Sequence, residues 1–78
     1  MNTLTINKSG SAVEVWFDQL KMFVLLDDGR EIAIPLDWFP KLRDATDKEK
    51  NNWRLIGGGE GIHWEHLDED ILVEGLLH

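Results

Sequence analysis

Met22-Phe23-Val24-Leu25-Leu26-Asp27-Asp28-Gly29-Arg30-Glu31-Ile32-Ala33-Ile34 contains two apolar runs on either side of an Asp-Gly pair. Asp-Gly between such runs is a strong hairpin signal, because the turn needs backbone conformations that these two residues tolerate. With Asp28 and Gly29 as a two-residue loop, Asp27 pairs with Arg30, Leu25 with Ile32 and Phe23 with Ile34. This register predicts that Phe23, Leu25, Ile32 and Ile34 share one face. The opposite face then carries Met22, Val24 and Leu26 across from Pro35, Ala33 and Glu31. Three apolar residues on that side need a cover, from a helix of the same chain or from a partner.

Upstream, Val13-Glu14-Val15-Trp16-Phe17 alternates as a strand, with Val13, Val15 and Phe17 on one side. Residues 1–12 are small and polar around Ser9-Gly10-Ser11, and a ragged start is expected there. Downstream, Asp37 is placed to cap a short helix from Trp38 to about Ala45, with Pro40 in its permissive first turn. Thr46 opens a second short helix, and Glu49 three residues on completes a capping box. Trp53-Arg54-Leu55-Ile56 reads as a strand ending at Gly57-Gly58-Gly59-Glu60-Gly61. Ile62-His63-Trp64 is again extended, with Ile62 and Trp64 facing one way and His63 the other. Ile71-Leu72-Val73 reads as the last strand. This order predicts one α+β domain over residues 1–78, with a mostly antiparallel sheet, an N-terminal hairpin and two short helices before the C-terminal strands.

The chain has 78 residues, 42% of them hydrophobic, with 15 Asp and Glu against 8 Lys and Arg. A formal charge of −7 argues against direct nucleic-acid binding, which needs clustered cations, and against an anionic membrane surface. The absence of cysteine excludes disulfides and thiolate metal cages. The longest apolar run, Met22 to Leu26, is far short of the roughly 20 residues that span a bilayer. No basic segment followed by an apolar one opens the sequence, and the expected location is the cytoplasm. The four Trp (Trp16, Trp38, Trp53, Trp64) are expected as core anchors, since large rings supply much of the burial in a small domain.

Chemistry is sparse. From Glu60 to His78 there are six acids, three His and no Lys or Arg. His63 and His66 with the nearby acids form an alternative divalent-metal set. Their spacing, however, is not that of a helical His pair, and in a strand they point to opposite faces. The glycine run lacks the Lys and Ser/Thr of a phosphate loop, and Glu60 would repel an anion. No nucleophile stands in a triad setting. No catalytic, cofactor or metal residue is assigned.

Trp53-Arg54-Leu55-Ile56-Gly57-Gly58-Gly59-Glu60-Gly61-Ile62-His63-Trp64, Leu67-Asp68-Glu69-Asp70-Ile71 and Val73-Glu74-Gly75-Leu76-Leu77 resemble the signature of a small bacterial family. Asp28-Gly29-Arg30-Glu31-Ile32, Pro35-Leu36 and Trp38-Phe39-Pro40 resemble it too, so the likeness runs over residues 13–77. The family is catalogued as domain of unknown function 2442. Glu65-His66 and Leu72 depart from its pattern. The resemblance implies an α+β fold and an antitoxin-like role in a two-gene pair.

The sequence thus points to a protein-interaction module with a small, basic protein partner. Candidate contacts are Met22, Val24, Leu26, Trp38, Phe39, Glu60, His63, Asp68, Glu69 and Asp70. The alternatives are a self-associating regulatory or ligand-binding domain, with the hairpin face buried in a homo-oligomer, and a divalent-metal site using His63, His66 and the nearby acids.

Overall fold

A computed structural model describes residues 10–77. Strands β1 (Ala12–Phe17), β2 (Lys21–Leu26) and β3 (Glu31–Pro35) form an antiparallel meander. A 3-10 turn (Leu36–Trp38) and two single-turn helices follow, α1 (Pro40–Arg43) and α2 (Asp47–Lys50). Strands β4 (Trp53–Ile56), β5 (Gly61–Trp64) and β6 (Glu69–Leu72) then make a second antiparallel meander. Helix α3 (Val73–Leu76) ends the described chain. The α+β class, the antiparallel pairing and the helices before the C-terminal strands are as expected, with the strands divided between two sheets.

The hairpin forms in a different register. Leu26 N donates to Arg30 O at 2.8 Å and Gly29 N to Leu26 O at 3.0 Å, so Asp27, Asp28 and Gly29 are all loop. Gly29 takes φ +94°, the left-handed residue that closes a three-residue loop. The extra loop residue slides β3 by one, pairing Val24 with Ile32 and Met22 with Ile34. A one-residue slip exchanges the faces. Met22, Val24 and Leu26 are therefore core residues, with exposures of 0%, 0% and 1%, and Ile34 joins them. Lys21, Phe23 and Leu25 instead join Ala33 and Glu31 on the outer face. In β1 the register shifts between Ala12 and Glu14, leaving Val13 as the extra residue of a bulge. Val13 is exposed, while Ala12 and Val15 reach the core.

Proline splits the predicted first helix. The residue before a proline is pushed toward extended backbone, and Phe39 sits at φ −132°, ψ 83°. The chain breaks there into a 3-10 turn and a new helix with Pro40 at its first position. Asp37 lies inside the 3-10 turn and caps nothing. The Thr46 capping box is as read: Glu49 N donates to Thr46 Oγ1 at 3.1 Å, and Thr46 N to Glu49 Oε1 at 2.9 Å.

Both sheets feed one core, in which Val24, Leu26 and Ile34 join Leu42 of α1, Ile62, Trp64 and Val73. Trp64 is fully buried, and its Nε1 donates to Lys50 O at 2.9 Å, tying β5 to the end of α2. Of the other three Trp, only Trp53 keeps to the core-anchor expectation. Trp53 is half-buried against the core, Trp16 stacks on Phe23 and Trp38 is 59% exposed. Asp27 N donates to Ser11 O at 2.8 Å, so residues 10–12 are held; the rest of the expected ragged start falls on residues 1–9, outside the described residues.

Gly59 is where the two meanders meet. A Cβ there would lie 2.5 Å from Ala12 O, and its φ is +98°. Gly59→Ala is expected to cost at least about 2 kcal/mol, from left-handed strain plus a backbone collision. At Gly75 in α3 a Cβ would meet nothing within 4 Å, and Gly75→Ala should stabilise by about 0.5 kcal/mol. Urea unfolding of the two variants checks both signs.

Asp18 closes the β1–β2 turn, its Oδ1 accepting from Leu20 N at 2.8 Å and Lys21 N at 2.7 Å. The Leu20 amide first, then the Lys21 amide, hold the carboxyl below its usual range. A depressed folded pKa stabilises above the unfolded value, and the contribution is lost as pH falls through the folded one. Asp18→Ala should therefore unfold at lower urea than the parent at pH 7. The gap should close as pH falls from about 5 toward 2.

Candidate functional site

Of the polar residues singled out in the sequence, His63 and Asp70 lie on the outer face of the second sheet. Alternation along β4–β6 sends Leu55, Ile62, Trp64 and Ile71 toward the core, and Arg54, His63 and Asp70 outward. Arg54, His63 and Asp70 stand side by side across the three strands. His63 Nδ1 contacts Asp70 Oδ1; the imidazole is mostly covered and the carboxylate largely open. Arg54 Nε turns the other way, to Glu65 Oε1 at 3.7 Å.

One step along the strands lies an apolar row, Ile56–Gly61–Leu72. Ile56 folds over Gly61, where a Cβ would come within 3.0 Å of Ile56 Cγ1. Leu72 is 69% exposed and Ile56 36%. Glu60 and Glu74 neighbour this row in the chain, and Glu60 O accepts from Val73 N at 2.9 Å, which brings the two chain segments together.

The remaining acids lie at the opposite end of the β5–β6 hairpin. Asp68 holds the turn at φ +52°, a conformation that aspartate tolerates. Lys41 Nζ donates to Asp68 O at 3.2 Å and lies 3.9 Å from Glu69 Oε1. Among the described residues, no Lys or Arg lies within ion-pair distance of the Glu60, Asp68 or Glu74 carboxylates. The sheet face is thus apolar at one end, mixed in charge at its centre and fringed by acids at both ends.

The other sequence candidates fall elsewhere. Met22, Val24 and Leu26 are enclosed by this chain, because the hairpin register turns them inward, and they offer nothing to a partner in this structure. The candidates Trp38 and Phe39 divide: Trp38 is exposed, while Phe39 rests on the core. His63 and His66 are not brought together. His66 lies beside Asn52 in an open polar cleft of about 600 Å³ lined by Thr46, Lys48, Glu49 and Asn51. Among the described residues, no three His, Asp or Glu side chains are gathered to hold a metal ion. Sequence reading missed Arg54, Ile56 and Leu72. Pairing both strands with β5 outward from Gly61 would have found them, since that register aligns the two apolar residues across a glycine.

No helix among the described residues is long and apolar enough to cross a membrane. A search of curated proteins gave no match. Among solved structures, the chain is similar to a protein of unknown function from Rhodospirillum rubrum. The two are 30% identical with a TM-score of 0.76, over 91% of this chain and 87% of that one. The family model described as protein of unknown function (DUF2442) matches residues 12–78, and this chain belongs to that family.

Proposed function

We propose that this protein is a cytoplasmic protein-interaction module that holds a small basic protein on the outer face of its second sheet, as the antitoxin-like member of a two-gene pair. The observation that carries this reading is the exposed Leu72, aligned with Ile56 across Gly61 and neighboured by Glu60 and Glu74. An exposed apolar row with acids beside it is a surface that a partner can desolvate, and the acids select a cationic partner. Charge also weighs against self-association through this face. Two copies at −7 each would bring their acidic fringes together, whereas a basic partner relieves the repulsion.

The test uses three tagged forms of the full chain: the parent, Leu72→Asp, and the double charge reversal Glu60→Lys with Glu74→Lys. Each is used to capture partners from native lysate at low salt, and the affinity for the captured partner is then measured. The expected result is one small basic protein in near-stoichiometric amount with the parent, and at least about tenfold weaker binding by both variants. Circular dichroism confirms that the variants fold. A partner held equally by all three overturns the assignment of this face.

A further inference from the structure

The first sheet has its own outer face. Trp16 and Phe23 are cross-strand partners there, with ring centroids 5.7 Å apart and planes within 7°. Trp16, Phe23 and Leu25 are half-buried, yet they stand apart from the partly buried residues that rest on the core. They cover one another on the far side of the sheet. In the adjacent row Leu25 is flanked by Glu14 on β1 and Glu31 on β3, both exposed. Two strand spacings set those two backbones about 10 Å apart. Among the described residues neither Glu is within ion-pair distance of a cation; Arg30 is taken by Asp28 at 2.8 Å. The remaining cation on this face, Lys21, lies opposite Pro35, beyond the aromatic row from the two acids.

From this arrangement we infer that the outer face of the first sheet docks an arginine-bearing polypeptide segment. A guanidinium group over the Trp16–Phe23 pair gains a cation–π contact, and its N–H groups reach the carboxylates of the next row. Its planar fork suits that combination better than a lysine ammonium does. Leu25 and Ala33 supply apolar ground for the rest of the segment. The placement of Glu14 and Glu31 on either side of Leu25 argues for a cationic occupant over a second copy of this acidic chain. This surface is separate from the Leu72 face and does not depend on it.

The test is amide shift mapping on the full chain, titrated with a capped hexapeptide of alternating arginine and alanine, and separately with its lysine counterpart. The expected result is shifts concentrated at Glu14, Trp16, Phe23, Leu25 and Glu31. Binding of the arginine peptide should be at least threefold tighter than that of the lysine peptide. The Glu14→Gln, Glu31→Gln double variant, altered only at exposed positions, should bind at least fivefold more weakly. Shifts spread over all acidic residues, equal affinity for the two peptides, or an unchanged affinity in the double variant overturn the proposal. Shifts centred on Arg54, His63 and Leu72 overturn it too and favour the second sheet as the docking face. Shifts of the Trp16 and Phe23 amides on simple dilution, without peptide, overturn it in favour of a second copy as occupant.

Discussion

The hydrogen bond from Leu26 N to Arg30 O decides which face of the first sheet is inside. It closes a three-residue loop, and the positive φ of Gly29 lets the chain return one residue later than an Asp-Gly two-residue turn would. Because strand side chains alternate with a period of two, that single residue puts Met22 and Val24 on the same face as Ile32 and Ile34, toward the core, and leaves Phe23 and Leu25 outside with Ala33 and Glu31. Burial favours this register. It places aliphatic side chains on the inside and leaves Lys21 and Glu31 in water, where charged groups need no buried partner. The alternative would set Glu31 on the same face as Val24 and Leu26.

With that face fixed, the second meander has one place to go. Its Ile62, Trp64 and Ile71 complete the core that β2 begins, and the junction is sealed by backbone as much as by side chains. Gly59 lies against Ala12 with no room for a Cβ, Val73 N reaches Glu60 O, and Trp64 Nε1 reaches Lys50 O. The last of these satisfies a buried indole donor that would otherwise be costly. The same bond pins the single turn of α2, which is too short to persist alone.

Features governed by neighbouring residues were legible in the sequence. The Thr46–Glu49 box, the Trp53–Ile56 strand and the inward pairing of Ile62 with Trp64 follow from side-chain chemistry or alternation within a few residues. What depends on a count across a turn was not. The hairpin loop length and the Val13 bulge each shift the pairing by one residue and so reverse the faces of the strand involved, whereas the division of the first helix at Phe39–Pro40 follows from the proline's local effect on its preceding residue. The site shows the same division. His63 and Asp70 were visible as polar residues in an acidic stretch, but their adjacency, and the alignment of Ile56 with Leu72, exist only once β5 is paired on both sides.

The two outer faces differ in how they hold their apolar groups. On the second sheet Leu72 stands largely in water beside Ile56, and the acids lie at the ends of the strands. On the first, the aromatic pair is already stacked and the acids stand within the sheet, one row away. An exposed leucine gains chiefly by losing water, and that gain scales with area whatever the partner's charge. A pre-stacked aromatic pair beside carboxylates gains chiefly from a cation, and that gain weakens with salt only as far as the ion stays exposed. Salt therefore separates the two surfaces in principle. Contact through the Leu72 face keeps its apolar share at high ionic strength, while contact through the Trp16 face keeps only what the stacked rings shield from solvent.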